Sequence, residues 1–447
     1  MRIIKKYKII FNYFLTIYSI QKSKIKNQKF KIMPVNYQPL TSEQIFQIPN
    51  IFLNSVIAEI RKKDRKDLTL ITLPENSTVA GVFTKNKFCA APVQICKEHL
   101  QSANHKIRAL IINTGIANAG TGEIGYNAAK EVCKNLAKTL NINENQVLPF
   151  STGVILEHLP SEKIINNLQN LSNDLSNSSK AWFVAANAIM TTDTVPKIYS
   201  KQVKINENLT ITLNGMAKGS GMIHPNMATM LGFLAVDIAI PAKVLQQIVS
   251  DVANKSFNCI TVDGDTSTND SFILISVPNA SNKNISAENL NSDEISILKN
   301  AILTAATELS KAIIRDAEGA SKFITINVYN GADENECKKV GFSVAHSPLV
   351  KTAFFASDPN LGRILAAIGY AEVANLDVNK IKVYLNDLLV AENGGRAATY
   401  NENEAIKIMQ NTDIEINIDL AQGSAKSTIY TSDLSHDYVS INADYRS

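Results

Sequence analysis

The loop from Lys218 to Leu231 combines reactive side chains with a glycine-rich backbone. It reads Lys-Gly-Ser-Gly-Met-Ile-His-Pro-Asn-Met-Ala-Thr-Met-Leu, and an apolar run typical of a buried strand follows it. A threonine at the end of a strained loop, here Thr229, can attack the carbonyl before it, and hydrolysis of the resulting ester frees a new N-terminus. The freed α-amine, with an ordinary pKa of about 7.7–8.0, is then a base for the threonine hydroxyl. The loop predicts a self-activated threonine nucleophile, with a glycine-rich turn capped by threonine as the alternative.

Other motifs in this region favour structural roles over phosphate or metal binding. The segment at Lys218 lacks the four residues that a P-loop places between its first glycine and its Gly-Lys pair. His224 stands alone in the sequence, so we expect a hydrogen-bonded structural histidine. The acidic segment Thr261–Asp270 is not an EF-hand, because Thr268 and Leu274 replace the required glycine and glutamate. We expect a cluster of Asx turns near the site and no metal.

Strand-like and helix-like segments alternate along the chain. Short apolar runs that end in Gly- or Asn-rich turns predict strands, and apolar residues spaced three and four apart predict helices. The clearest strands are 68–73, 109–113 and 231–238, and the clearest helices are 127–140, 161–175, 180–190, 242–257 and 292–317. Asp413–Leu420 and Ser427–Leu434 alternate like a hairpin closed by a turn at Ala421–Ala425. Both kinds of element occur in both halves, which predicts an α/β or α+β fold.

Composition restricts the class of protein. A chain of 447 residues that is 45% hydrophobic and 19% charged is globular, with enough length for two or three domains. The formal charge of +4 arises from nine Lys and Arg residues among residues 1–32, which contain no acid; the rest of the chain has 36 basic and 41 acidic residues. The body of the protein therefore gives no electrostatic reason to expect a nucleic-acid partner.

The basic N-terminal segment does not fit a membrane span. Its apolar stretch, Ile9–Ile20, is shorter than the roughly 20 residues that a spanning helix needs, and no small-residue cleavage site follows it. We expect residues 1–32 to be an extension outside the fold, with the true start at Met33. A targeting segment and a membrane-surface anchor are the alternatives.

The five cysteines predict a reducing compartment. They are odd in number and include no Cys-x-x-Cys pair, which argues against a disulfide framework and a structural zinc site. We expect ordinary apolar roles for all five and a cytoplasmic protein.

Distinctive motifs follow one another over residues 33–447. Apart from the Lys218 loop, they are Met33-Pro-Val-Asn-Tyr, Pro149-Phe-Ser-Thr-Gly, Met190-Thr-Thr-Asp-Thr, Thr261-Val-Asp-Gly-Asp-Thr-Ser-Thr-Asn-Asp, Arg315-Asp-Ala-Glu-Gly-Ala, Asp358-Pro-Asn-Leu-Gly-Arg and Ile441-Asn-Ala-Asp-Tyr-Arg-Ser. In this order the motifs resemble the ornithine acetyltransferase (glutamate N-acetyltransferase) family of arginine biosynthesis. The resemblance implies an αββα-type sandwich with a smaller C-terminal lobe. It also implies self-cleavage between Ala228 and Thr229 into an α chain, 33–228, and a β chain, 229–447, which assemble as an α₂β₂ heterotetramer.

The resemblance also implies an activity. Thr229 would take the acetyl group of N²-acetylornithine and pass it to glutamate in a ping-pong reaction that needs no cofactor. Whether acetyl-CoA is a second acetyl donor stays open, as does feedback inhibition. By residue-to-residue matching, the oxyanion hole is Thr152 with Gly153, and the substrate-binding residues are Thr192, Lys218, Thr229, Glu318, Asn442 and Ser447. Without the family, Thr152 and Gly153 read as a strand-to-loop turn, and Arg315 with Asp316 as a structural pair.

Two other functions fit the same residues. With water as the acceptor, the same nucleophile and oxyanion hole would make a self-processing amidase or aminopeptidase. An uncleaved chain that binds an amino acid without turnover is the non-enzymatic alternative.

Overall fold

The structure is a computed structural model, and it describes residues 34–224, 230–279 and 286–443. The predictions for residues 1–32, for Ala228 and Thr229, and for Ser447 therefore lie outside the described residues.

Strands and helices alternate through the described chain. The strands are β1 (Phe52–Val56), β2 (Leu68–Thr72), β3 (Thr78–Phe83), β4 (Ala109–Ile116), β5 (Val147–Val154), β6 (Lys197–Asn206), β7 (Leu209–Lys218), β8 (Leu231–Val236), β9 (Ser271–Ser276), β10 (Phe323–Gly331), β11 (Lys382–Leu385), β12 (Leu388–Glu392), β13 (Gly395–Arg396), β14 (Asp413–Asp419) and β15 (Ala425–Ser432). The α-helices are α1 (Ala91–Ser102), α2 (Gly122–Leu140), α3 (Ser161–Asn173), α4 (Ser179–Ala188), α5 (Ala242–Lys255), α6 (Ser292–Arg315), α7 (Glu334–His346), α8 (Pro348–Phe355), α9 (Leu361–Gly369), α10 (Glu402–Met409) and α11 (His436–Ala443).

Two sheets stack face to face at the centre of the molecule. One has the order β1-β2-β4-β5 and the other the order β3-β9-β8-β7-β6. Their facing sides share one apolar core, in which the rings of Phe150 and Phe233 meet edge-on with centroids 5.0 Å apart. Both β4 with β5 and β8 with β9 are parallel pairs, so the ends of β4 and β5 lie side by side.

Helices cover the outer face of each sheet. Successive side chains of β4 point to opposite faces of the sheet. Leu110 and Ile112 enter the central core, whereas Ala109 and Ile111 pack with α2 and α3. Helices α5 and α6 pack on the outer face of the second sheet. Helix α6 begins at a capping box, in which the Asn291 side chain accepts from the backbone of Asp293 and Glu294. The predicted αββα sandwich is confirmed.

The C-terminal lobe contains a six-stranded sheet, in which β14 and β15 do not form the predicted hairpin. Its order is β13-β12-β11-β14-β10-β15, so β10 lies between β14 and β15. Strand β14 is parallel to β10, and β15 is antiparallel to it. The predicted turn crosses the end of β10, where Gln422 N and Gly423 N both donate to Asn330 O. The hairpin prediction was wrong because alternation shows which face a residue occupies and not which strand is its neighbour.

No helix in the described part of the chain is both long and apolar enough to cross a bilayer. The cysteines are unpaired; four are buried and Cys89 is partly exposed.

Candidate active site

The predicted site residues meet in one cavity of about 270 Å³ between the two sheets and the C-terminal helix. Its lining includes every predicted site residue that the structure describes: Thr152, Gly153, Thr192, Lys218, Glu318 and Asn442. Met230, the residue after Thr229, also lines it. Separate parts of the chain, up to 290 positions apart in the numbering, therefore supply one pocket.

Thr152 and Gly153 occupy the end of β5, beside Thr114 and Gly115 of the parallel strand β4. Gly153 has φ +132°, and a Cβ at this position would overlap the backbone of Gly115. Only glycine therefore fits. The strand-to-loop turn expected without the family is absent here, because both residues still pair in the sheet.

Lys218 ends β7 with its ammonium beside the predicted oxyanion hole. Its Nζ donates to Thr152 Oγ1 over 2.8 Å. Burial lowers the pKa of Lys218, while the nearby Asp193 carboxylate acts to raise it. Since the lysine supplies the proton in this hydrogen bond, the Thr152 hydroxyl hydrogen is left to donate into the cavity.

A buried ion triad fixes the backbone around Lys218. Lys197 Nζ lies 2.5 Å from both Asp193 Oδ1 and Asp316 Oδ2, and the three side chains are at most 1% exposed. Asp193 Oδ1 also accepts from Gly219 N over 2.7 Å. Burial alone would raise the pKa of Asp193, but the Lys197 ammonium holds it well below its usual range. The triad thus joins the loop before β6 to the loop after β7.

The triad corrects one prediction. Arg315 and Asp316 do not pair with each other: Arg315 Nη2 lies 2.6 Å from Asp413 Oδ1, whereas Asp316 binds Lys197. Consecutive residues at the end of a helix point about 100° apart around its axis, so each finds its own partner.

Glu318 forms the acidic side of the cavity. Its carboxylate accepts from Asn442 Nδ2 on α11 over 2.8 Å, and its backbone N–H donates to Ser220 O over 2.9 Å. Thr192 Oγ1 lies 2.7 Å from Ser220 Oγ. Burial raises the pKa of Glu318, and its hydrogen bonds act in the opposite direction. The Glu318 carboxyl group therefore faces the cavity with a pKa above its usual range.

Asp270 also lines the cavity, although the sequence placed it only in a cluster of turns. The residue is 1% exposed, and among the described residues its Oδ2 has no hydrogen-bond partner. Burial raises the pKa of Asp270 well above its usual range, which favours the protonated form of this carboxyl group. No signal in the sequence distinguishes this buried carboxyl from the neighbouring turn aspartates.

The described part of the Lys218 loop is held in a strained conformation. Met222 has φ +54°, in the left-handed region that disfavours a side chain. Asp263 fixes this conformation by accepting from Met222 N over 2.7 Å and from Ile223 N over 2.9 Å. Asp263 Oδ1 also accepts from Asp265 N over 3.2 Å, which is an Asx turn of the kind predicted for this segment.

His224 is hydrogen-bonded, as expected for a structural histidine. Its Nδ1 lies 2.8 Å from Nε2 of His346, which in turn lies 3.0 Å from Thr261 Oγ1. Burial, with the nearby His224, lowers the pKa of His346 to about 3. Burial also lowers the pKa of His224. The folded protein therefore keeps this pair neutral.

Acid should destabilise the fold through this pair. The unfolded chain binds a proton at each histidine below pH about 6.5, whereas folded His346 stays neutral down to its pKa of about 3, so its contribution falls with pH in this window. One such histidine lowers the free energy of unfolding by about 1.4 kcal/mol per pH unit. Urea unfolding of wild type and His346→Gln at pH 7.5, 6.0 and 5.0 measures the effect. Equal pH dependence of the two proteins would contradict this.

Comparison with known proteins decides among the functions that the sequence left open. The model of the ArgJ family matches residues 53–447. The chain belongs to the ArgJ family. The arginine biosynthesis bifunctional protein ArgJ of Neisseria meningitidis is 52% identical over 415 residues, which cover 93% of this chain and 100% of that protein. The family predicted from the motifs is confirmed, and this ArgJ family member is an acyltransferase of arginine biosynthesis.

Solved structures from the ArgJ family match shorter parts of the chain. The ArgJ protein of Bacillus halodurans is 33% identical, with 48% of this chain and 99% of that chain covered and a TM-score of 0.44. The ornithine acetyltransferase of Mycobacterium tuberculosis, solved in complex with ornithine, is 30% identical, with 41% and 96% covered and a TM-score of 0.36.

Proposed function

We propose that this chain moves the acetyl group of N²-acetylornithine to glutamate through an acetyl ester on Thr229. The observation that carries the proposal is the convergence of Thr152, Gly153, Lys218 and Glu318 on one cavity that Met230 also lines. Thr229, the proposed nucleophile, directly precedes Met230 in the sequence.

Both halves of the reaction pass through a tetrahedral oxyanion, which Thr152 and Gly153 would stabilise. The Thr152 hydroxyl is free to donate because Lys218 donates to its oxygen. Gly153 would add its backbone N–H. Loss of one donor of this kind typically costs about 10²–10³ in rate. The Lys218 cation also makes a negative charge more favourable at this end of the cavity.

The other predicted residues would hold the amino-acid parts of the substrates. Lys218 and Thr192 would bind the α-carboxylate, and Glu318, oriented by Asn442, would bind the cationic side chain of acetylornithine. Ser447 would complete the pocket. The site as proposed uses no metal and no cofactor.

Maturation would precede activity. We propose cleavage between Ala228 and Thr229, which divides the protein into an α chain, 33–228, and a β chain, 229–447, that remain together in an α₂β₂ heterotetramer. Met222, six residues before Ala228 in the same loop, has φ +54°, and strain stored in this loop would favour the rearrangement. The absence of disulfides among the five cysteines supports a cytoplasmic location.

An acetyl-transfer experiment tests the proposed function. Incubation of the purified protein with acetylornithine alone should release one ornithine per site and add the mass of one acetyl group to the fragment that begins at Thr229. Glutamate should then remove this group and yield N-acetylglutamate. A protein that takes no acetyl group would contradict the proposal, and equal loss of the acetyl group without glutamate would identify a hydrolase instead.

A further inference from the structure

A second cavity, of about 240 Å³, adjoins the catalytic cavity. The two share a wall formed by Gly153, Val154, Thr191 and Thr192. Arg61, Lys62 and Arg65 also line the second cavity, but none of them lines the catalytic cavity. We call this cavity the basic annex.

The loop that carries these cations is layered directly onto the oxyanion hole. Gly115 has φ +101°, and a Cβ added there would lie 2.8 Å from Arg61 Cβ. Gly115 in turn packs on Gly153, where a Cβ would overlap it. Two successive close approaches, each of which requires glycine, therefore bring the Arg61 loop next to the proposed reaction centre.

The loop is also held at both of its ends. Asp67 accepts from Ala58 N and from Ile60 N, each over 2.7 Å. At the other side Arg65 Nη2 donates to Met190 O over 2.6 Å, at the end of α4. The loop backbone and the Arg65 side chain are therefore held in place, so the loop itself needs little ordering when a ligand binds.

Positive charge in the basic annex is not neutralised. Among the described residues, Asp67 is the one acid in its lining. Its two oxygens accept from backbone N–H groups, and burial raises its pKa. Lys62 has no ionic partner among the described residues. Arg61 pairs with Glu157 across an exposed contact, with 28% and 45% of the two side chains accessible. Exposed pairs of this kind are weak, so the annex retains charge for an anionic ligand.

Opposite charges thus lie in different parts of the site. Glu318 lines the catalytic cavity and not the basic annex, whereas Arg61, Lys62 and Arg65 line the annex and not the catalytic cavity. The proposed reaction brings two amino acids to one nucleophile: a donor with a cationic side chain and an acceptor with an anionic one. A single subsite could not favour both, because a charge that attracts one side chain repels the other.

We infer that the basic annex binds the side-chain carboxylate of the acceptor amino acid, while the cationic side chain of the donor stays on the Glu318 side. Arginine and lysine suit this task, since a guanidinium can hold a carboxylate through two parallel hydrogen bonds and an ammonium adds a point charge. The inference rests on the proposed function, because it assigns the two ends of the same exchange reaction. It makes Arg61 and Lys62 determinants of acceptor specificity.

Separate measurement of the two half-reactions tests this assignment. Lys62→Gln and Arg61→Gln should each raise the glutamate concentration needed to deacetylate the acetyl-enzyme by about 10- to 100-fold, the usual cost of a lost hydrogen bond to a charged group. Formation of the acetyl-enzyme from acetylornithine should stay within about twofold, since the donor does not use the annex. Lys63→Gln is the matched control: Lys63 belongs to the same loop but does not line the annex.

Glutamine, a neutral acceptor, distinguishes a loss of carboxylate binding from general damage to the fold. The wild-type preference for glutamate over glutamine should shrink in both variants and persist in the Lys63 control, which general damage to the fold would not produce. An unchanged preference, or equal losses in both half-reactions, would overturn the assignment. Wild-type protein that never forms the acetyl-enzyme would refute the proposed function instead, so the two failures are distinguishable.

Discussion

Thr229→Ala should give a single uncut chain that transfers no acetyl group. The substitution removes the one hydroxyl that, in the proposed mechanism, first starts the chain cleavage and later carries the acetyl group. Without cleavage, the α-amine that is proposed as its base would never form. Mass spectrometry of the intact purified protein should show two fragments for wild type, one of them beginning at Thr229, and one full-length chain for the variant. The exchange of acetyl groups between acetylornithine and glutamate should fall to the background rate.

Thr229→Ser is the control for this prediction. Serine retains a hydroxyl at the same atom, so cleavage and part of the transfer activity should persist. Fragments that break before residue 229 in the alanine variant would assign the cleavage to another group. A wild-type chain that remains intact yet transfers acetyl groups would show that the free α-amine is not needed.

The fold could be predicted in part because periodicity reports local structure well. Helix α3 begins at Ser161 as predicted, and α2 begins at Gly122 rather than Asn127, since its first turn carries few apolar residues to mark it. The sequence pattern did not show which strands are neighbours in a sheet. The alternation of β14 and β15 is correct, but the insertion of β10 between them depends on pairs of residues that are 90 to 109 positions apart.

The site residues also divide into those that the sequence predicted and those that it did not. Motif resemblance supplied Thr152, Lys218 and Glu318, and the structure places all three in one cavity. The motif resemblance did not predict contacts that form only in the folded chain. Lys197 contacts Asp316, 119 positions away, and His224 contacts His346, 122 positions away. No spacing in the sequence identifies such pairs, because only the chain topology brings the two residues together.

Lys197→Met should lower the free energy of unfolding by about 3–5 kcal/mol, as expected when one partner of a buried ion network is removed. Asp193 and Asp316 would be left as buried carboxylates without their cation. Chemical denaturation measures the loss. Lys201→Met is the matched control, since Lys201 lies on the same strand but is exposed, and its replacement should change stability by less than about 0.5 kcal/mol.

Removal of all three charges shows whether the stability lost in Lys197→Met is due to the unpaired carboxylates or to lost packing. In the triple variant Asp193→Asn, Lys197→Met, Asp316→Asn, no carboxylate of the triad is left without its cation, so part of the stability lost in Lys197→Met should return. The return should be partial, because Lys218 loses the nearby Asp193 charge. Acetyl transfer should return less fully, because a neutral amide at position 193 binds Gly219 N less strongly than the carboxylate does. If Lys197→Met were as harmless as Lys201→Met, or if the triple variant were no more stable than Lys197→Met, the triad would not be what fixes the two loops beside Lys218.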